Sequence, residues 1–472
     1  MSRNGSTATN RFGLGARPGE IQTAQSDPVG WVKEQLQQPF SVDIGTNTME
    51  ALADSATYQQ QRRAEREMLA EELNSSNPNN RQSRQDQQDA IQPSRLFAEQ
   101  AEASLEQSVT STESVNWRLF NFFSNHFSVT AGSTFLRLTV FSYETDAIAP
   151  HINGHFDQLL LSVIKHPAML IYLNNERSIG PESVLGKRRS NRGLNENLAR
   201  EILELHTLGV DGGYTQNDVL ELAMAITGWS VDREPTTETG GFVFNENSHQ
   251  PGSRTLLGKE YRAGATNADT SRRNQRQARS AVEQGEAILR DLAIHPATAE
   301  FVSRKLATHY VSDQPDEALV NRMKDTWLDT GGHLPSVMET LVDDDTAWET
   351  SVQKFKNARD FIVSAIRATG ATGLPENELF RSLELLGQEP FDAGSPAGYG
   401  DVSEDWDGAS ALTARADWAS KFSSYLRVPA IELAENALGD DLSEHTRRIV
   451  SRAESDSQAR ALLFMSPEFQ RR

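Results

Sequence analysis

The stretch Asn195–Trp229 reads NENLAREILELHTLGVDGGYTQNDVLELAMAITGW, two amphipathic helices joined by a turn. Asn195 is a good N-cap, Glu196 sits in the first turn where the dipole favours an acid, and Gly209 is placed to end a helix over 195–208. DGGY, residues 211–214, is a tight turn, and Thr215 caps a second helix that ends near Gly228. On a wheel of about 100° per residue, Leu194, Leu198, Ile202 and Leu205 fall within about 40° of one line and form a core stripe. Such a stripe has to be covered by other elements, and the rest of the chain offers mostly helices.

Downstream, helical patterns run over 277–294, 297–310, 315–330, 334–342 and 354–368, with three more helices expected beyond 409. Upstream, Pro28–Gln37 and RRAEREMLAEEL (62–73) are helix formers, and five aromatics between Trp117 and Phe127 mark a buried helix. His155–Tyr172 continues the pattern, with Pro167 starting a new helix inside it. Strand signals are thin: GFVF (241–244) and RTLLGKEY (254–261) can make one short hairpin. The expected fold is therefore mainly α, a multi-helix, bundle-like body with long loops and at most a short β-hairpin near 241–262. Its organisation reads as an amino-terminal helical segment (1–56), then a helix with a polar Gln/Asn-rich insertion expected to be mobile (57–95). A main helical domain carrying the Asn195–Trp229 stretch follows (96–385). An irregular loop and the last helices, packing on that domain, complete it (386–472).

Across 472 residues, Lys and Arg total 46 against 66 Asp and Glu, a net charge of −20. That balance argues against a nucleic-acid partner and against an anionic membrane surface, both of which are recognised by clustered cations. There is no cysteine, so disulfides, thiolate nucleophiles and Cys-ligated metals are excluded. No apolar run reaches the ~18 residues needed for a membrane span, and no signal-peptide core is visible, so the chain as written reads as cytoplasmic.

Chemistry is expected on the first helix of the quoted stretch. Asn197, Glu201 and Glu204 lie between about 240° and 300° on the wheel, beside the core stripe, with Arg200 next to Glu204. Glu201 and Glu204, three residues apart, can converge on one point and act as an acid–base pair or as ligands of a divalent metal. Glu204 and His206 point roughly 160° apart on a regular helix and cannot share an ion, so imidazole has to come from elsewhere, with His126 and His249 as candidates. The expected catalytic residues are Glu201, Glu204, Arg200 (binding an anionic substrate group) and His206. Asn195, Asn197, Tyr214 and Trp229 are expected to contact substrate, though Trp229 also reads as a packing anchor. The plainer alternative is a structural network in which Arg200 pairs with Glu204 and Asn197 with Glu201.

Elsewhere the signals are bland. His126 ends the aromatic run, where a histidine satisfied by a backbone carbonyl is commoner than a ligand. His166 and His295 each precede proline and look like helix-start residues. His151, His309, His333 and His445 have no cluster around them in sequence and read as solvated. Gly13 and Gly15 begin a dinucleotide-like spacing, but Pro18 stands where the third glycine would fall; Walker A, Gly-x-Ser-x-Gly and His-Glu-x-x-His strings are absent.

Taken with NRFGLGARPGEI (10–21), WRLFNFFSNHF (117–127), HPAMLIYLNN (166–175), HPATAEFVSRKLATHYVSDQP (295–315), KFKNARDFIVSAIRATG (354–370), LGQEPFDAGSPAGYG (386–400) and LLFMSPEFQ (462–470), the quoted stretch resembles the bacterial domain-of-unknown-function 1800 family over nearly the whole chain. The resemblance implies a mainly helical protein, often exported, and often encoded beside an alkaline-phosphatase/sulfatase-superfamily protein that would be its partner. It does not imply a reaction. Two departures from the family pattern stand out. Ser124 occupies the place of the first histidine of a Trp-His-Asn-His-Phe string, and His249-Gln250 replaces a His-Asp pair. If those residues ligate metal in the family, this chain would bind metal weakly or differently. Two classes of function follow: an enzyme with a carboxylate/histidine site on the 195–208 helix, or a non-catalytic partner of the phosphatase-like protein.

Overall fold

Helix after helix in this chain begins where the sequence offers a cap. The computed structural model describes residues 4–74, 91–188, 193–233, 241–262, 270–349, 354–370, 375 and 377–472. Most of the expected mobile insertion, residues 75–90, lies outside them. His166 and His295 are N-caps followed by proline, and each ring Nδ1 accepts the backbone N–H two residues on, from Ala168 and Ala297, at 3.2 Å. An accepting nitrogen carries no proton, and burial pushes His166 down to about 3. Thr215 caps Gln216–Ala225 in a full capping box with Asp218.

The fold is mainly α, with two small antiparallel pairs of strands. β1 (Trp229–Val231) pairs with β2 (Phe242–Phe244), and β3 (Arg254–Leu256) with β4 (Lys259–Tyr261). The hairpin expected between GFVF and RTLLGKEY thus becomes two. RTLLGKEY folds on itself, with Gly258 in the left-handed region, and GFVF turns back onto the strand after Gly228. Five helices, not three, follow residue 409: Ala409–Tyr425, Ala430–Leu438, Glu444–Ser451, Asp456–Phe464 and Pro467–Gln470. The limit set at residue 56 falls inside one helix, Thr48–Asn74.

One continuous apolar core runs from Ala8 to Phe469. Trp117, Phe120 and Phe123 on the Ser114–His126 helix lie at its centre, each 2% exposed or less, and such burial is worth about 1.5–3 kcal/mol per side chain. Polar bonds join the two ends of the chain. Ser6 donates to the Leu438 carbonyl at 2.9 Å, and Asn10 to that of Ala437 at 3.0 Å. Arg367, buried on the Ala358–Thr369 helix, donates to the carbonyls of Gly15 (2.7 Å) and Ser111 (2.8 Å) and pairs with Glu20 at 3.0 Å. Gly15 has φ +94, and a Cβ there would meet the Ser364 Cβ at 2.5 Å. The Gly13–Gly15 spacing therefore serves helix–loop packing. No helix among the described residues is long and apolar enough to cross a membrane.

Candidate active site

The helix expected to carry the chemistry is regular only over Asn197–Glu201; Ile202–His206 is a π-turn. The wider turn changes which side chains go inward: Leu203 and His206 are fully buried, and Leu205, expected in the core stripe, is only partly buried. Gly209 ends the segment at φ +82, as its position predicts. Asn195 lies one residue before the N-cap position, its Oδ1 accepting the Asn197 N–H at 2.9 Å and its amide donating to the Asn174 carbonyl at 3.1 Å.

Arg200 bridges Glu196 at 3.1 Å and Glu204 at 3.3 Å and also donates to Gln216 at 2.9 Å. Burial, with the Glu204 carboxylate beside it, raises the Tyr214 phenol to about 12. Burial and the neighbouring Glu204 raise the Glu201 carboxyl, against Arg200. These groups form a half-exposed ionic network. Trp229 is fully buried, edge-on to Phe242 and pressed by Gly285. His249 lies apart from His126: its Nδ1 donates to the Thr227 carbonyl at 2.9 Å and its ring packs on Phe244. Among the described residues no three His, Asp or Glu side chains gather closely enough to hold a metal ion.

What the structure does bring together is His126 and His206. Nε2 of His126 lies 3.1 Å from the His206 carbonyl, and Nδ1 of His206 lies 3.2 Å from the His126 carbonyl. A carbonyl only accepts, so both of those ring nitrogens carry the proton. That leaves His126 Nδ1 as a lone pair, which accepts from the Lys305 ammonium at 3.1 Å. Burial first, then the Lys305 charge, push both histidines down, His206 to about 3. Burial also lowers Lys305 to about 8, with Asp401 pulling it back up.

His126 and Lys305 line a cavity of about 300 Å³. Four of the strings quoted above meet there: the end of the Ser114–His126 helix, the Pro296–Tyr310 helix, the start of Ala358–Thr369, and the irregular loop 388–401. Asn125 fixes the loop with both ends of its amide: Nδ2 donates to the Tyr399 carbonyl at 2.9 Å, and Oδ1 accepts the Tyr399 N–H at 2.8 Å. Gly398, at φ +81, allows this approach, since a Cβ would stand 2.4 Å from the Asn125 carbonyl oxygen.

Two carboxyl groups on the wall of this cavity are shifted in opposite directions. His309 Nδ1 lies 2.9 Å from Asp401, and its Nε2 is buried with no hydrogen-bond partner among the described residues. Burial opposes a charge on Asp401, but His309, Lys354 and Arg472 outweigh it and hold the carboxyl at about 2. Burial also lowers His309, with Asp401 opposing, so the ring is neutral at pH 7 with its proton on Nδ1. Glu144, on the π-turn Tyr143–Ile148, is the opposite case: burial raises its carboxyl against Arg359 and against the Ser124 hydroxyl, which donates to it. Asp360, also on the cavity wall, accepts from Arg118 at 3.0 Å, and the Arg472 guanidinium stands 3.0 Å from it as an ion pair.

His309 corrects the expectation that it is solvated: it is 6% exposed and carboxylate-paired. Its partner lies 92 residues on, so no local pattern announces it. The available signal was the apolar spacing of the Pro296–Tyr310 helix, which puts His309 beside buried Leu306 and Tyr310. Glu144 has no local signal either, since its partner Ser124 lies 20 residues upstream on another helix. No curated protein and no solved structure matches the chain. A family model described as protein of unknown function, DUF1800, matches residues 7–471, nearly its whole length, and the chain belongs to that family.

Proposed function

We propose that this chain is an enzyme of acid–base chemistry, acting on a small polar molecule inside the cavity. The observation that carries the reading is the His309–Asp401 pair, 2.9 Å apart, with His309 Nε2 left without a partner among the described residues. An ionised carboxylate holding Nδ1–H fixes the tautomer and makes Nε2 a base that withdraws a proton from water or from substrate. Glu144, whose carboxyl burial raises, is the group that returns one. In this reading the working carboxylates are Asp401 and Glu144, where the sequence points to Glu201 and Glu204. His206 acts through His126 as a positioning residue, and Arg200, Glu201 and Glu204 are not among the residues that line the cavity. Divalent-metal chemistry at Glu201 and Glu204 needs His126 to give up Lys305 and His249 to be brought to it.

The test is turnover of a panel of small ester, phosphoester and oxo-acid substrates by the wild type, His309→Asn and Asp401→Asn. Turnover that falls ~10²–10⁴-fold in His309→Asn supports the reading, and turnover indifferent to it overturns the reading. Absence of any turnover moves the weight to the second class, a non-catalytic partner of an alkaline-phosphatase-superfamily protein, which the net charge of −20 favours.

A further inference from the structure

A buried charge is costly unless it is paired or fully hydrogen-bonded. Most buried cations here meet that condition. Arg367 has Glu20 and several carbonyls, Arg415 donates to Gln470 at 2.7 Å, and Lys354 pairs with Asp313 at 2.8 Å. Lys356 is closed in by Ser364 at 3.0 Å and by the Phe469 ring, and does not reach the cavity.

Two cations on the cavity wall are exceptions. Lys305 donates to the neutral His126 Nδ1 and lies over the Phe301 ring, and among the described residues it has no carboxylate within 4.0 Å. The Arg359 guanidinium donates no hydrogen bond among the described residues; its Nε is buried without a partner, and only its backbone N–H is used, by Gln388 at 2.8 Å. The opposing charges that act on Arg359 are Glu144 and Asp360, and neither bonds its guanidinium: burial raises the Glu144 carboxyl, which accepts from Ser124, and Asp360 is paired with Arg118. Both cations lie deep among protein atoms and still keep accessible surface, as groups do that open onto a cavity.

We infer that the missing counter-charge is the ligand's: the cavity takes a small molecule bearing an oxyanion, carboxylate or phosphate, recognised by Arg359 and Lys305. A planar guanidinium reads two oxygens of one such group, and an ammonium beside it supplies a second contact. About 300 Å³ holds a molecule of metabolite size. The inference deepens the acid–base reading and rests on it for the identity of the site: the anion is the handle that holds substrate before His309.

The test is isothermal titration of the full chain with inorganic phosphate, with acetate, and with glycerol as the neutral control. The expected result is saturable binding of at least one anion and none of glycerol. Binding should weaken about tenfold or more in Lys305→Met and in Arg359→Gln, persist in the charge-keeping Lys305→Arg, and be untouched in Arg200→Gln. Tighter phosphate than acetate identifies a phosphorylated substrate; the reverse order identifies a carboxylic acid. Binding of neither anion, or equal binding by wild type and the two charge-removing variants, overturns the inference. Anion binding that survives without His309-dependent turnover leaves this inference standing and sinks the proposed reaction. His309-dependent turnover without anion binding does the converse.

Discussion

His126 and His206 hold one another by the backbone: each ring donates to the other residue's carbonyl, at 3.1 and 3.2 Å. The bond pair ties the π-turn Ile202–His206 to the end of the Ser114–His126 helix and fixes the tautomer that lets His126 accept from Lys305. Replacing His206 by Ala leaves a buried carbonyl unsatisfied and a cavity beside Phe127, and should cost about 2–5 kcal/mol. Urea denaturation measures it; a loss below 0.5 kcal/mol would show that the pair is not a structural joint.

Protonation tests the same joint. His166 and His206 are each near 3 in the fold against 6.5 unfolded, so both stay neutral in the native chain. The unfolded state binds their protons first. The stability they contribute is whole above pH 6.5 and is lost as pH falls from there toward 3, at up to about 1.4 kcal/mol per pH unit for each. Denaturation midpoints between pH 7 and 5 should fall, and His206→Gln should fall less steeply. A flat profile over that range contradicts the assignment of neutral, proton-averse rings.

Asp360 is buried between Arg118 and Arg472. Asp360→Asn strands two guanidinium groups and should destabilise by about 3–5 kcal/mol, far more than Glu204→Gln, whose partly exposed pair with Arg200 is worth about 0–1 kcal/mol. Comparable losses in the two variants, read by chemical denaturation, would mean that the outer network carries more than its exposure allows.

Gly398→Ala should loosen the loop 388–401 without unfolding the helical body, because the added Cβ collides with the Asn125 carbonyl and disrupts the amide clamp on Tyr399. Hydrogen exchange is the check. Amides of the loop should lose protection while those of Ala358–Thr369 keep theirs. Loss of protection throughout would place Gly398 in the folding core instead of the cavity wall.

The helical plan was legible because caps, prolines and apolar spacing are local: Thr215, His166 and His295 start helices where their positions say they should. The apolar spacing from residue 409 merges five helices into three, although Ser443, Ser455 and Ser466 cap the last three of them. The site was harder to read. A regular wheel fails at the π-turn after Glu201, which sends Leu203 inward in place of Leu205. Ser124 with Glu144, and His309 with Asp401, meet only through the tertiary fold. The clustered Glu201, Arg200 and Glu204 drew attention because they are adjacent in sequence, and adjacency on a helix face is what a surface ion network also produces.

The most direct measurement is the protonation state of the His309 ring, read by long-range proton–nitrogen correlation NMR at pH 7 in the wild type and in Asp401→Asn. The account predicts a neutral ring with the proton on Nδ1 and a bare Nε2, and a changed tautomer population once the Asp401 carboxylate is gone. A ring protonated on Nε2 at pH 7, or one indifferent to Asp401→Asn, would contradict the claim that this cavity holds a base set to act.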